Sequence, residues 1–310
     1  MRSALFSIIF LFAFQISSYT QPYEIQKNVK RIVFIGNSIT YSGKYIEYID
    51  AYLSIKYPDK DYEIINVGLP SETVSGLSEE NHAKGAFPRP DLHDRLDRII
   101  SQTQPDLVLS CYGMNDGIYL PFDDKRFQKY KDGINWLNNT VEQFGADIIN
   151  ITPTIYDERK GPAYANVLDI YSDWLISKRY TDSWKVIDIH WPMRKILEDQ
   201  RLIDSTFVFA KDGVHPNEAG HFEMAKHILL NLGETELTDL EEFKSFLGTT
   251  ENGEQILKLF ERKHKIMKDA WLSSIGHERP RMDVGLPMAE AIIKSKVINA
   301  QIDILLNKKK

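Results

Sequence analysis

A single cysteine, Cys111, stands among 310 residues. An intrachain disulfide framework is therefore excluded, and the apolar run around Cys111 marks it as a small buried hydrophobe rather than a reactive thiol. Basic residues are the minority: 38 Lys and Arg against 44 Asp and Glu leave a formal charge of -6. That balance argues against the clustered positive surface a nucleic-acid binder needs. A long apolar run occurs only at the start, where Met1-Arg2-Ser3 precedes Ala4 to Phe14, a stretch too short to span a bilayer. It reads as a secretory signal peptide over residues 1–20, cleaved before Gln21, with no cysteine nearby to carry a lipid and no stable membrane insertion after its removal. An exported chain without disulfides fits a bacterial envelope, secreted or periplasmic. No internal repeat or low-complexity linker appears. No metal-ligand cluster is evident either, since His215 and His221 do not form the two-histidine metalloprotease spacing.

What is present is an alternation of strand and helix patterns, as a parallel sheet requires. Apolar β-type runs lie at Arg31 to Ile35, Asp61 to Val67, Asp106 to Tyr112, Asp147 to Ile151 and Lys185 to Ile189. Helical patterns follow around Tyr45 to Leu53, Leu92 to Ile100, Phe127 to Phe144, Tyr164 to Ser177 and Glu218 to Ala225. His190 and Trp191 lie just past the fifth run and read as packing residues. A hydrophobic content of 43% can bury one large core plus an appendage.

Four segments stand where strands end: Gly36-Asn37-Ser38-Ile39-Thr40, Asn66-Val67-Gly68, Gly113-Met114-Asn115-Asp116 and Asp212-Gly213-Val214-His215. A strand, a tight turn and a helix put the Ser38 hydroxyl at the carboxyl end of a parallel strand, where open α/β sheets hold ligands. Serine at its free pKa is a poor nucleophile and needs an adjacent base whose tautomer is fixed by a third group. His215 can take the Ser38 proton, and Asp212, three residues earlier, can fold back onto the other ring nitrogen across Gly213. The Gly68 N–H and the Asn115 side-chain amide are candidate donors to a tetrahedral oxyanion. Taken singly, each segment also has a structural reading as helix cap, turn or strand end.

Together the four segments resemble the SGNH (GDSL-type) hydrolase superfamily, named for Ser, Gly, Asn and His in four blocks, over roughly Lys30 to Leu232. The resemblance implies a flavodoxin-like α/β/α sandwich on a parallel five-stranded sheet. It also implies Ser38 as nucleophile, His215 as base, Asp212 as its orienting group, and an oxyanion hole from the Ser38 N–H, the Gly68 N–H and Asn115. No metal or organic cofactor is expected. Two departures are visible: Asn37 occupies a position usually held by Asp, and Leu69-Pro70-Ser71-Glu72-Thr73 follows Gly68 where a second Gly is common. The first bears on loop hydrogen bonds rather than catalysis; the second stiffens one shoulder of the cleft.

The domain expected is then 21–233, followed by a C-terminal helical extension over 234–310. A long connection, Ser75 to Pro90, offers His82 and Arg89 as substrate contacts. Arg279 and Arg281 in the extension suit an acidic sugar if they face the site. The expected activity is that of an exported serine ester hydrolase acting on an acylated small molecule or glycan, foremost a carbohydrate O-acetylesterase. The competing readings are a lipid esterase, thioesterase or lysophospholipase, an acyltransferase with the same triad, and a carbohydrate-binding protein on a degenerate hydrolase fold.

Overall fold

Strands whose two faces are both covered by helices carry near-continuous apolar runs, and the five runs pair accordingly. The computed structural model describes residues 22–307, so the signal-peptide reading of 1–20 lies outside the described residues. Strands β1 (Arg31–Gly36), β2 (Glu63–Asn66), β3 (Leu107–Cys111), β4 (Asp147–Ile151) and β5 (Lys185–Ile187) form one sheet in the order β2-β1-β3-β4-β5. Every pairing is parallel. β3, the middle strand, is buried at all of its positions.

The helices are α1 (Ser38–Ser42), α2 (Lys44–Lys56), α3 (Leu96–Thr103), α4 (Asp124–Phe144), α5 (Pro162–Thr181), α6 (His190–Ile203), α7 (Glu218–Asn231), α8 (Phe243–Leu247), α9 (Gly253–Ile275) and α10 (Met288–Leu305). The step from β1 to β2 runs one way across the sheet, and those from β2 to β3, β4 and β5 run the other. Right-handed crossovers therefore send α2 to one face and α3, α4 and α5 to the opposite face. α7 packs against α2, while Tyr130 of α4 stacks on Tyr171 of α5 at 4.3 Å. This is the expected flavodoxin-like sandwich. Strand order reverses between β1 and β3, and the crevice outside their carboxyl ends is where such sheets take ligands. Gly36 and Cys111 are paired at that end.

His190 and Trp191, read as packing residues, open a full helix, α6. Their roles are structural: buried His190 holds Asp169 Oδ1 through Nε2 at 2.8 Å, and Trp191 donates Nε1–H to Asp173 at 2.8 Å. Cys111 is buried, and burial pushes its thiol up to about 12.

In the extension, α9 lies along α2 and the outer strand β2, and α10 packs on α9. An open strand edge needs such cover. The contact is fixed by Asp50 of α2, 1% exposed, which takes Lys263 Nζ at 2.7 Å and His264 Nε2 at 2.8 Å. Burial pushes the Asp50 carboxyl up, but those two partners outweigh it and hold the group below its ordinary value. Among the described residues no helix is long and apolar enough to cross a membrane.

Gly133, inside α4, decides how closely that helix meets the loop after β2. A Cβ there would stand 2.1 Å from the Val74 carbonyl oxygen. Alanine in a helix interior normally gains up to about 1 kcal/mol over glycine. Overpacking against backbone costs roughly 1–3 kcal/mol and wins here. Gly133→Ala is expected to lower the denaturation midpoint, as measured by urea unfolding; a rise would show that the loop yields freely.

Candidate active site

Ser38 is the first residue of α1, directly beyond β1. Gly36 allows the sharp exit: an added Cβ would meet Thr40 Oγ1 at 2.3 Å and the Cys111 carbonyl at 2.8 Å. Asn37 is the N-cap, its Oδ1 accepting the Ile39 N–H at 3.0 Å. The amide oxygen thus makes the local bond that the more usual Asp would make, and caps of either kind serve equally.

The opposite wall is the turn before α7. Gly213 takes φ 88°, which curls the chain so that Asp212 Oδ1 accepts the N–H groups of Val214 and His215, both at 2.9 Å. Its other oxygen, Oδ2, lies 2.7 Å from His215 Nδ1, and His215 Nε2 lies 2.9 Å from Ser38 Oγ. With Nδ1–H directed at a carboxylate, Nε2 is left as the acceptor for the serine proton. Burial pushes the Asp212 carboxyl up, but the His215 side chain and the two backbone N–H groups outweigh it and hold it at about 2. His215 and Asp212 are about half exposed, 54% and 55%, so the row opens to solvent.

The expected oxyanion donors divide. Gly68 does not turn its N–H into the site: it donates to Asn66 Oδ1 at 2.9 Å, and Gly68 itself is pressed against the Thr40–Tyr41 backbone, where a Cβ would lie 2.5 Å from Tyr41 N. Its glycine serves close packing of β2's end on α1. Three residues on, Ser71 takes φ 71°, the left-handed region that favours glycine, and its N–H has no hydrogen-bond partner among the described residues. Ser71 stands in the segment where a second Gly was expected. Asn115 does face this segment. One amide hydrogen goes to the Glu72 carbonyl at 3.1 Å, its Oδ1 accepts the Tyr119 hydroxyl at 3.1 Å, and its second amide hydrogen remains for another acceptor.

Two buried carboxylates build the platform under these donors, and the sequence reading missed both. Asp116, 0% exposed, accepts from Gly113 N at 2.8 Å, Val74 N at 2.8 Å and Ser75 N at 2.9 Å, tying the Asn115 turn to the segment after β2. Glu72 binds Arg95 through both carboxylate oxygens, at 2.5 and 2.7 Å, and accepts the Tyr112 hydroxyl at 2.6 Å. Burial pushes both carboxyls up.

Arg89 and His82 are drawn into the protein rather than offered to substrate. Arg89 forms a two-pronged pair with Glu79 at 2.6 and 2.7 Å, reaches the Ser71 carbonyl with Nη1 at 3.4 Å and lies 5.3 Å over the Tyr119 ring. His82 Nδ1 lies 3.3 Å from Glu79 Oε1. Arg89 thus braces both Ser71 and Tyr119. A half-buried aromatic strip runs from Tyr119, whose ring lies 6.1 Å from that of Tyr156, to the Gly213 turn, which Tyr156 borders. His221 stacks on Tyr45, and burial, with Lys44 and His215 nearby, holds it down at about 4. It is a neutral packing residue. Among the described residues no group of three or more His, Cys, Asp or Glu could hold a metal ion.

The GDSL-like lipase/acylhydrolase family matches residues 34–221, the stretch that contains all of these groups. The chain is 22% identical over 225 residues to an acetylxylan esterase of Geobacillus stearothermophilus, covering 66% of this chain and 94% of that protein. A solved structure of a catalytic mutant of that esterase superposes with a TM-score of 0.54 at 21% identity, covering 68% of this chain and 97% of the other. An α/β hydrolase from the metagenome of Lake Arreo, Spain, gives a TM-score of 0.52 at 21% identity over 66% of this chain and 95% of the other. A gut microbial diltiazem-metabolizing enzyme gives 0.54 at 21% identity, and there the match covers 69% of this chain but only 49% of that one. At such identities these structures speak for the fold.

Proposed function

Because the chain belongs to the GDSL-like lipase/acylhydrolase family and is a serine ester hydrolase, we propose that it removes acetyl or similar small acyl groups from carbohydrate by way of an acyl-enzyme on Ser38. The carrying observation is the continuous row from Ser38 Oγ through His215 to Asp212, with contacts of 2.9 and 2.7 Å. His215 Nε2 takes the hydroxyl proton as Oγ attacks the acyl carbon, and the carbonyl electron pair moves onto oxygen. That oxyanion is received by the free Asn115 amide hydrogen, the Ser38 N–H and the Ser71 N–H, which replaces Gly68 in this role. Collapse expels the sugar oxygen, which leaves with the proton from His215. Water, deprotonated in turn by His215, cleaves the acyl-enzyme and frees the acid.

A carbohydrate ester is favoured by the open, half-exposed triad and the Tyr119 and Tyr156 rings beside it. The acetylxylan esterase relative points the same way. Export by the N-terminal segment, and the boundary at 233, belong to this reading. The test is an acyl-chain series: kcat/KM for aryl acetate should exceed that for butyrate and octanoate, with acetate released from acetylated xylan. A hydrophobic acyl tunnel would instead gain about 1–3 kcal/mol per methylene. Activity climbing from acetyl to octanoyl would overturn the proposal in favour of a lipid esterase.

A further inference from the structure

Beside the catalytic crevice, the segment that follows β2 and the return of the chain after α9 enclose a cavity of about 300 Å3, lined among others by Leu69, Phe87, Arg89, Arg95, His277 and Arg279. That volume is at the lower end for small-ligand pockets, roughly 300–1,000 Å3. Three side chains in its wall carry buried nitrogens with no hydrogen-bond partner: Arg95 Nη1, His277 Nδ1 and Arg279 Nε. Arg95 is nearly sealed, its side chain 2% exposed. Natural proteins rarely leave such groups unpaired, and a charged donor is the costliest to leave so.

The other cations in the wall are committed: Arg89 to Glu79, and Arg98 to the Ile275 and Gly276 carbonyls. Arg95 spends two of its nitrogens on Glu72. Arg279 has no carboxylate partner among the described residues; it donates to the Pro280 carbonyl and the Met282 sulfur and lies 5.4 Å over the Phe87 ring. Of the acidic residues in the lining, Asp91 is held by His93, and Asp94 and Glu278 are exposed. The three groups are neighbours: burial and the Arg95 charge hold His277 below its ordinary value, while the Arg279 backbone, to which the ring is hydrogen-bonded, works against them. Arg279 also acts electrostatically on Tyr41, three residues after Ser38 in α1.

We propose that this cavity is a carboxylate-binding subsite, in which Arg279, Arg95 and His277 receive the uronate group of an acylated acidic glycan whose ester lies at Ser38. Two guanidinium edges and an imidazole supply the donors that a carboxylate's lone pairs accept, and arginine's planar fork suits that partner. The extension thereby gives the site its selectivity. This rests on the esterase reading above.

The test uses the full chain and Arg279→Gln, and takes ratios. With acetylated oligogalacturonate and acetylated xylo-oligosaccharide of equal length, the parent should favour the acidic substrate at least tenfold in kcat/KM, through KM. In Arg279→Gln the ratio should fall to about one. Free galacturonate should inhibit the parent competitively, while methyl galactoside and acetate at the same concentration should not. No acidic preference, a preference that survives Arg279→Gln, or acetate inhibiting as well as galacturonate would each overturn the subsite. Absence of turnover on aryl acetate would count against the esterase reading instead. Galacturonate binding followed by NMR in the parent and in Arg279→Gln then decides the subsite independently.

Discussion

Ser38→Ala and His215→Ala should each reduce kcat for aryl acetate by about 10⁴-fold or more, and the double variant should be no slower than either single one. Triad members act as a unit, so removing one already forfeits the proton transfer that the others support. Circular dichroism and the melting temperature should stay close to the parent, because Ser38 is only partly buried and His215 is half exposed. Labelling by a fluorophosphonate should vanish in Ser38→Ala. Residual activity within tenfold of the parent would reject Ser38 as nucleophile. Asp212 adds a sign to the pH profile. Its carboxyl is held at about 2, so it stays ionised through the mildly acidic range. The stability it contributes is present above its ordinary value and lost as pH falls through about 2. At 55% exposure that contribution is screened and small.

How much of this could be read from residues alone depended on the range of the interactions. The sheet was legible because buried parallel strands need apolar runs and loops end them, and the Asp212–His215 turn was legible because both partners lie within four residues. Gly68 misled for the opposite reason: residue type says that the chain passes closely there, but which N–H stays free is decided by the Asn66 side chain, which takes it at 2.9 Å. Ser71 carries no sign in its side chain of the left-handed backbone it adopts. Arg89 and His82 looked available because Glu79, their partner, is ten and three residues away in a loop without periodicity. Asp116 read as a turn residue, whereas its buried carboxylate gathers three N–H groups from two segments. The extension was legible as helical but its docking was not, since the charged face around Lys263 and His264 is turned inward to Asp50.

Asn115→Ala should lower kcat by about 10²–10³-fold while KM changes less than threefold, the signature of a donor that works on the transition state rather than on bound substrate. The geometry explains why this residue is suited to the role. Tyr119 holds Oδ1, the Glu72 carbonyl holds one amide hydrogen, and the remaining hydrogen is fixed in direction before substrate arrives. A preorganised donor costs no reorganisation when charge develops, and so acts fully at the moment of reaction. The same bonds make the substitution structurally costly: alanine leaves a buried carbonyl and a hydroxyl without their partner, roughly 1–3 kcal/mol each at most. The KM to kcat split separates the two effects, because a merely loosened site would raise KM and lower the melting temperature without a selective fall in kcat. Asn115→Asp gives the complementary reading. It preserves volume and the acceptor for Tyr119 but sets a negative charge against the oxyanion, so it should be at least as inactive as the alanine variant. An Asp variant that retained most of the parent's kcat would remove Asn115 from the oxyanion hole and leave it as a brace for Tyr119.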